Sequence, residues 1–159
     1  MKVKDVMVKT AAFCNPETNL GAAVEIMWNR NCGFLPVVDA QRRVVGVVTD
    51  RDIAMALGTR NQLSGGITVV EIATRKIQWC KPEYDIHMAL DTMAENKVRR
   101  LVVINDQNQF EGVLSMDDVV HFAETTPGGK ADLSSDDVLR TLKALYGAQL
   151  LPRRAGVAA

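Results

Sequence analysis

Thr49 and Asp52 stand three residues apart in GVVTDRD (46–52), after an apolar run and before a short helix-like segment. Ser115 and Asp118 repeat the spacing in GVLSMDD (112–118). A hydroxyl followed three residues later by an acid is the pattern of a helix capping box, in which the two side chains satisfy each other's free backbone N–H groups. The same groups at a helix N-terminus, where the peptide dipoles leave partial positive charge, can also hold a polar or anionic ligand. Both roles need the same residues at the same spacing, so the motif alone does not separate them. Other chemistry finds little support. No nucleophile is placed beside a base, and no glycine-rich phosphate loop of the Walker type is present. The histidines, His87 and His121, lie far apart, without the spacing of zinc ligands. No catalysis, metal or required cofactor is expected.

The elements that must position these residues come as a repeat. Shifted by 66 residues, the chain aligns with itself without a gap: FCNPETNLGAAVEIM (13–27) falls on WCKPEYDIHMALDTM (79–93), FLPVVD (34–39) on RLVVIN (100–105), and VVGVVTDRDI (44–53) on FEGVLSMDDV (110–119). Two units are too few for a repeat array. They imply a pseudo-symmetric pair in which each unit covers the other's open face. The polar stretch GTRNQLSGG (58–66) joins them. We divide the chain into a first unit at 1–60, a second at 67–124, and a spacer with a helical tail at 125–159.

Each unit reads as β-α-β-β-α. A short strand leads in (Ala11–Cys14; Ile77–Cys80), and a proline turn follows. Leu20, Ala23, Val24 and Met27, matched by Ile86, Ala89, Leu90 and Met93, form the i, i+3, i+4, i+7 stripe of an amphipathic helix. Asn19 and Asp85 suit its N-cap. Two β-branched runs follow in each unit, Leu35–Val38 with Val44–Val48 and Leu101–Ile104 with Gly112–Leu114, joined by the polar loops DAQRR and NDQNQ. A second helix closes each unit, Asp50–Leu57 and Met116–Glu124. The fold class is therefore α/β (α+β), with two units packed through their sheets. In the tail, TTPGGKAD (125–132) reads as a spacer and SSDDVLRTLKALYG (134–147) as one more helix, capped by Ser134 or Ser135 and stopping at Gly147. Its stripe of Val138, Leu142, Leu145 and Tyr146 needs a partner surface. LPRRAGVAA reads as a loose end.

Composition removes whole classes of function. Nineteen basic residues balance nineteen acidic ones, which argues against a nucleic-acid or anionic-membrane surface. No apolar run approaches the roughly 20 residues of a membrane span, and MKVKDVMVKT lacks the apolar stretch of a signal peptide. Three cysteines, Cys14, Cys32 and Cys80, without C-x-x-C spacing, fit the reducing cytoplasm. Cys14 and Cys80 fall at equivalent strand positions and read as buried small hydrophobes rather than redox partners.

The doubled FLPVVD/RLVVIND strands and GVVTDRD/GVLSMDD motifs, in order and without gaps, resemble a tandem CBS-domain pair, the Bateman module. The resemblance covers about residues 1–124 and leaves the tail outside. It implies a regulatory or sensing role, with binding of an adenine nucleotide or adenosyl ligand (AMP, ATP, NAD or S-adenosylmethionine), AMP being expected first. It also implies that Thr49 with Asp52, and Ser115 with Asp118, meet phosphate through the hydroxyl and ribose through the carboxylate. The adenine would slot between the lead-in strand and the second strand: Thr10, Ala11, Cys32 and Phe34 in one unit, Lys76, Ile77, Val98 and Arg100 in the other.

The repeats differ before that second strand, where NCG (31–33) in the first faces KVRR (97–100) in the second. In related modules a basic pair here crosses the pseudo-two-fold axis to the phosphate held by the other unit. Arg99 and Arg100, with Arg51, would then serve the Thr49/Asp52 site. The opposite site would see Gly33 and Phe34 and lack that positive charge. The plainer reading makes Arg99 and Arg100 a solvated edge, or pairs them with Glu95. Two functions remain: a nucleotide-binding regulatory module, expected to form a homodimer and to signal to an unidentified regulated protein, or an assembly module whose pockets are degenerate.

Overall fold

The computed structural model describes residues 1–123 and 132–147. Helix α1 (Val3–Val6) precedes α2 (Leu20–Asn29), the hairpin β1 (Phe34–Val38) and β2 (Val44–Thr49), and α3 (Asp50–Thr59). The second unit follows as β3 (Trp79–Cys80), α4 (Ile86–Asn96), the hairpin β4 (Arg100–Ile104) and β5 (Phe110–Ser115), and α5 (Met116–Phe122). The tail helix is α6 (Ser135–Tyr146). The caps fall on the expected residues: Asn19 Oδ1 accepts from Ala22 N at 2.9 Å, and Asp85 Oδ1 from His87 N at 2.9 Å. Ser134, not Ser135, caps α6. Gly147 follows its last residue but keeps a right-handed conformation, so no left-handed glycine turn ends this helix. The expected spacer and loose end lie almost wholly outside the described residues, as does Glu124, the expected end of α5.

The lead-in strands are shorter than expected. In the first unit only a single bridge forms, Cys14 to Val37; in the second only Trp79 and Cys80 pair, in parallel with Val102 and Val103. The reason is that these segments cross between units. Val8 pairs with Val113 in β5, and Thr74 pairs with Val47 in β2. The chain ahead of them crosses too. Val3, Val6 and Met7 are buried in the second unit's core with Leu90, Met93 and Leu101, while Ile67 and Val69 are buried in the first unit's core with Leu20 and Leu35. Each unit therefore borrows its first turn from the segment that precedes the other. A third cluster joins the two sheets, built from Val38, Val102, Ile104 and Phe110 with Phe34, Val44, Val47 and Val113 at its edge.

The motif glycines serve this crossing. A Cβ at Gly112 would press against the Val8 carbonyl, and one at Gly46 would lie 3.0 Å from Ala73 Cβ and 3.4 Å from Thr74 O. Backbone does come close to these glycines, and it is the chain's own.

Helix α6 packs on α4 and α5 of the second unit, burying Val138 and Leu145 in its core beside Leu90, with Leu142 at the margin. Tyr146, placed in the same stripe by sequence, stays 40% exposed. At the other end of α6, His87 lies 2.9 Å from Asp85 Oδ1 and 3.3 Å from Asp137 Oδ2. Partial burial opposes charge on His87, but the hydrogen bonds to Asp85 and Asp137 outweigh it and raise its pKa above the ordinary histidine value. A raised folded pKa adds stability that is complete below about pH 6.5 and is lost as pH rises through the folded value. Amide exchange in α6 should therefore be slower at pH 6 than at pH 8, after correction for intrinsic rates. His87→Gln should remove the difference; a difference that survives the substitution would place the latch elsewhere.

Candidate functional site between the two units

Both motifs do form caps. Asp52 Oδ2 accepts from Thr49 N at 2.9 Å and from Thr49 Oγ1 at 2.7 Å, while Asp52 N donates to Thr49 Oγ1 at 3.2 Å. The Ser115/Asp118 box is the same, with Asp118 Oδ2 accepting from Ser115 N at 2.9 Å and from Ser115 Oγ at 2.6 Å. Two further boxes, Thr68/Glu71 and Ser134/Asp137, serve as comparisons. There the second carboxylate oxygen is occupied: Glu71 Oε2 faces Arg60 at 3.3 Å, and Asp137 Oδ1 accepts from Arg140 at 2.7 Å. At Asp52 and Asp118 the Oδ1 oxygen has no hydrogen-bond partner among the described residues, and each of these two residues lines a cavity.

The first cavity, of about 260 Å³, is lined by Thr49, Asp52, Val47 and Phe34 from the first unit and by Thr74, Lys76, Gln78, Val98, Arg99 and Arg100 from the second. The other, of about 330 Å³, joins Ser115, Asp118, Asp117 and Val113 to Val8, Thr10, Ala11, Ala12, Arg30, Asn31 and Cys32, with Phe34 and Arg100 shared by both cavities. The repeat offset turns one lining largely into the other. Each cavity thus combines the capped carboxylate of one unit with the lead-in segment and second strand of the other, a consequence of the crossed pairings of Val8 and Thr74. The volumes sit near the lower end of the roughly 300–1,000 Å³ of small-molecule sites. A larger cavity of about 540 Å³ adjoins the second one at Thr10, Ala11, Ala12 and Arg30, but it contains neither motif.

Arg99 and Arg100 are at the Thr49/Asp52 cavity, across the axis from their own unit. Their present partners are weak: Arg99 Nη1 donates to Tyr146 Oη at 3.2 Å, and Arg100 Nη2 lies 3.7 Å from Asp117 Oδ2. Neither meets Glu95. Four expectations need correction. Arg51 is exposed and outside the lining, because it follows the cap on the solvent side of α3. Ile77 turns to the inter-sheet cluster, because an extended chain alternates its side chains and Lys76 and Gln78 take the cavity side. Gly33 lines neither cavity; its carbonyl accepts from Asp50 N at 3.2 Å, and a Cβ there would meet Asp50 Oδ2 at 2.5 Å. The Ser115/Asp118 cavity is also not free of positive charge, since Arg30 and Arg100 line it. The asymmetry lies in the balance. Three basic residues and one acid line the Thr49/Asp52 cavity, whereas two basic residues and two acids line the other. Sequence reasoning missed Thr74, Gln78 and Arg30; alternation from Lys76 marks the first two, while Arg30 emerges only from how α2 ends.

Cys14 and Cys80 lie in separate cores, and burial pushes each thiol up to about 12, so both are neutral fillers. Among the described residues no His/Cys/Asp/Glu group could hold a metal ion, and no helix is long and apolar enough to cross a membrane.

The tandem seen in the geometry is also seen by comparison: a family model for the CBS domain matches residues 3–59 and again residues 69–124. The chain belongs to the CBS domain family. It is 31% identical over 117 residues to the CBS domain-containing protein YhcV of Bacillus subtilis, covering 74% of this chain and 81% of that one. It is 27% identical over 119 residues, 75% of this chain, to an inosine-5'-monophosphate dehydrogenase of Methanocaldococcus jannaschii, of whose length it spans only 23%. Among solved structures, the CBS domain protein PAE2072 from Pyrobaculum aerophilum, complexed with AMP, matches with a TM-score of 0.67 at 22% identity, covering 75% of this chain and 90% of that one. That likeness shows the fold of a CBS pair.

Proposed function

We propose that this CBS pair is a regulatory sensor that binds an adenine nucleotide, AMP first, in the Thr49/Asp52 cavity and reports the occupied state to another protein. One observation carries the reading. Of the four hydroxyl–acid caps among the described residues, the two repeated ones keep a carboxylate oxygen without a partner among those residues, and those two face cavities between the units. Asp52 Oδ1 can accept from ribose hydroxyls while Oδ2 keeps the cap closed. The Thr49 hydroxyl can turn its hydrogen toward a phosphate while still accepting from Asp52 N. Arg99 and Arg100 supply planar donors for phosphate oxygens. Val98 and Phe34 offer apolar walls to a flat purine. The AMP complex of PAE2072 supports the choice of ligand. A ligand touching both units stabilises the packing it prefers, and a partner sensitive to that packing reads the ligand. The output is regulation rather than catalysis, and we infer a homodimer as the working form.

The assembly reading is favoured by a different observation, the exposed apolar residues Val24, Trp28 and Met55 on the first unit's helices. A thermal-shift screen of AMP, ADP, ATP, NAD and S-adenosylmethionine separates the two. A ligand at about 100 times its dissociation constant adds roughly 2.7 kcal/mol, so AMP should raise the melting temperature measurably. No shift with any of the five would favour assembly alone.

A further inference from the structure

Helix α6 lies beyond both CBS units, yet its last turn holds the basic stretch KVRR (97–100) at two points. Lys97 Nζ donates to the Ala144 carbonyl at 2.8 Å, and Arg99 Nη1 donates to Tyr146 Oη at 3.2 Å. Lys97 caps the end of α4 with φ 55, in the left-handed region. Its counterpart in the first unit, Asn31, has φ 48. Asparagine enters that region more readily than lysine, so the second unit accepts a conformational cost that the first avoids. What the lysine gains is the reach of a cation to the carbonyl end of α6, where the helix dipole is negative. The tail helix and the stretch that carries both cavity arginines are thereby fastened together.

We propose that Tyr146 is a positioning residue of the nucleotide site: its hydroxyl holds the Arg99 guanidinium against the Thr49/Asp52 cavity, so that docking of α6 and binding of a ligand phosphate strengthen each other. The inference rests on the nucleotide reading of that cavity and adds the tail helix to it. Arg99 lines the cavity but is exposed. An exposed arginine samples many rotamers, and a phosphate that binds it must freeze them. A partner already holding one edge of the guanidinium removes part of that cost. The guanidinium has five N–H donors; the bond to Tyr146 uses one on Nη1 and leaves the others for phosphate oxygens. The partner is also of the right kind, because a neutral hydroxyl orients the arginine without offsetting the charge that a phosphate meets. By linkage, a phosphate that engages Arg99 tightens α6 in return. The opposite cavity has no such arrangement: Gly33, with no side chain to hold, stands at the repeat position of Arg99.

Titration calorimetry of the full chain with AMP and with adenosine tests it. Tyr146→Phe keeps the ring and removes only the hydroxyl. It should weaken AMP binding about threefold to tenfold and leave the binding of adenosine, which has no phosphate, unchanged. In an Arg99→Ala background the same substitution should weaken AMP no further, because the hydroxyl acts only through the guanidinium. In the wild type, AMP should also slow amide exchange in the last turn of α6, residues 143–146, and adenosine should not. A Tyr146→Phe chain that binds AMP as tightly as the wild type, or more tightly, overturns the proposal and spares the nucleotide site. Equal weakening of AMP and adenosine does the same, since it would make Tyr146 a packing residue, as does a loss that adds in full to that of Arg99→Ala. If Arg99→Ala leaves no measurable AMP binding, the comparison of AMP with adenosine in Tyr146→Phe decides alone. A wild-type chain that binds neither ligand overturns the nucleotide reading and this role together.

Discussion

Replacing Arg99 and Arg100 together with alanine should weaken AMP binding at least tenfold, about 1.4 kcal/mol, and leave adenosine binding nearly unchanged. Both side chains line the Thr49/Asp52 cavity from across the pseudo-two-fold axis. Charge-assisted hydrogen bonds contribute roughly 1.5–3 kcal/mol each, so the loss of two should exceed tenfold even after discount for partial exposure. The fold should survive, because what the arginines hold now is slight: a 3.2 Å bond to Tyr146 Oη and a 3.7 Å approach to Asp117. Titration calorimetry of the double variant with both ligands makes the distinction. Equal weakening of AMP and adenosine would mean that the arginines shape the pocket without reading phosphate. No weakening of either would return them to a solvated edge.

The second large effect separates the two motifs. Asp52→Ala should weaken AMP binding more than Asp118→Ala, because the balance of lining charge favours a phosphate only beside Asp52. Stability provides an internal control. Each substitution opens the same capping box while leaving the N-cap hydroxyl its bond from the backbone N–H of residue 52 or 118, so the two variants should melt alike. Their AMP affinities should differ. Equal losses of affinity, or the reverse order, would remove the claimed asymmetry.

Much of this was legible in the chain because the repeat is gapless. An offset that sets Cys14 on Cys80 and Asp52 on Asp118 makes each unit a test of the other, and the hairpins, the caps at Asn19, Asp85, Thr49 and Ser115, and the helix stripe apart from Val24, which the structure leaves exposed, fall where local patterns put them. What local pattern could not show is the crossing. Val3 to Met7 is too short a segment for any periodicity, and its burial in the second unit's core depends on contacts with residues from Cys80 to Leu145. The lead-in strands fell short of expectation for the same reason, since Val8 and Thr74 take partners in the opposite unit. Ile77 lies between the cavity-lining Lys76 and Gln78, and alternation along the extended chain turns it to the opposite side. That Asp52 Oδ1 has no hydrogen-bond partner among the described residues is likewise a three-dimensional fact. Ser134/Asp137 has the same spacing, and only the positions of Arg140 and His87 show that its carboxylate is already engaged.

Calorimetric titration of AMP into the wild-type chain tests the central claim most directly. The account predicts saturable binding that is lost on Asp52→Ala and weakened in the Arg99/Arg100 double variant. An absence of saturable heat with AMP and with every other adenosine ligand at millimolar concentration would contradict it, leaving the Thr49/Asp52 motif as a helix cap and nothing more.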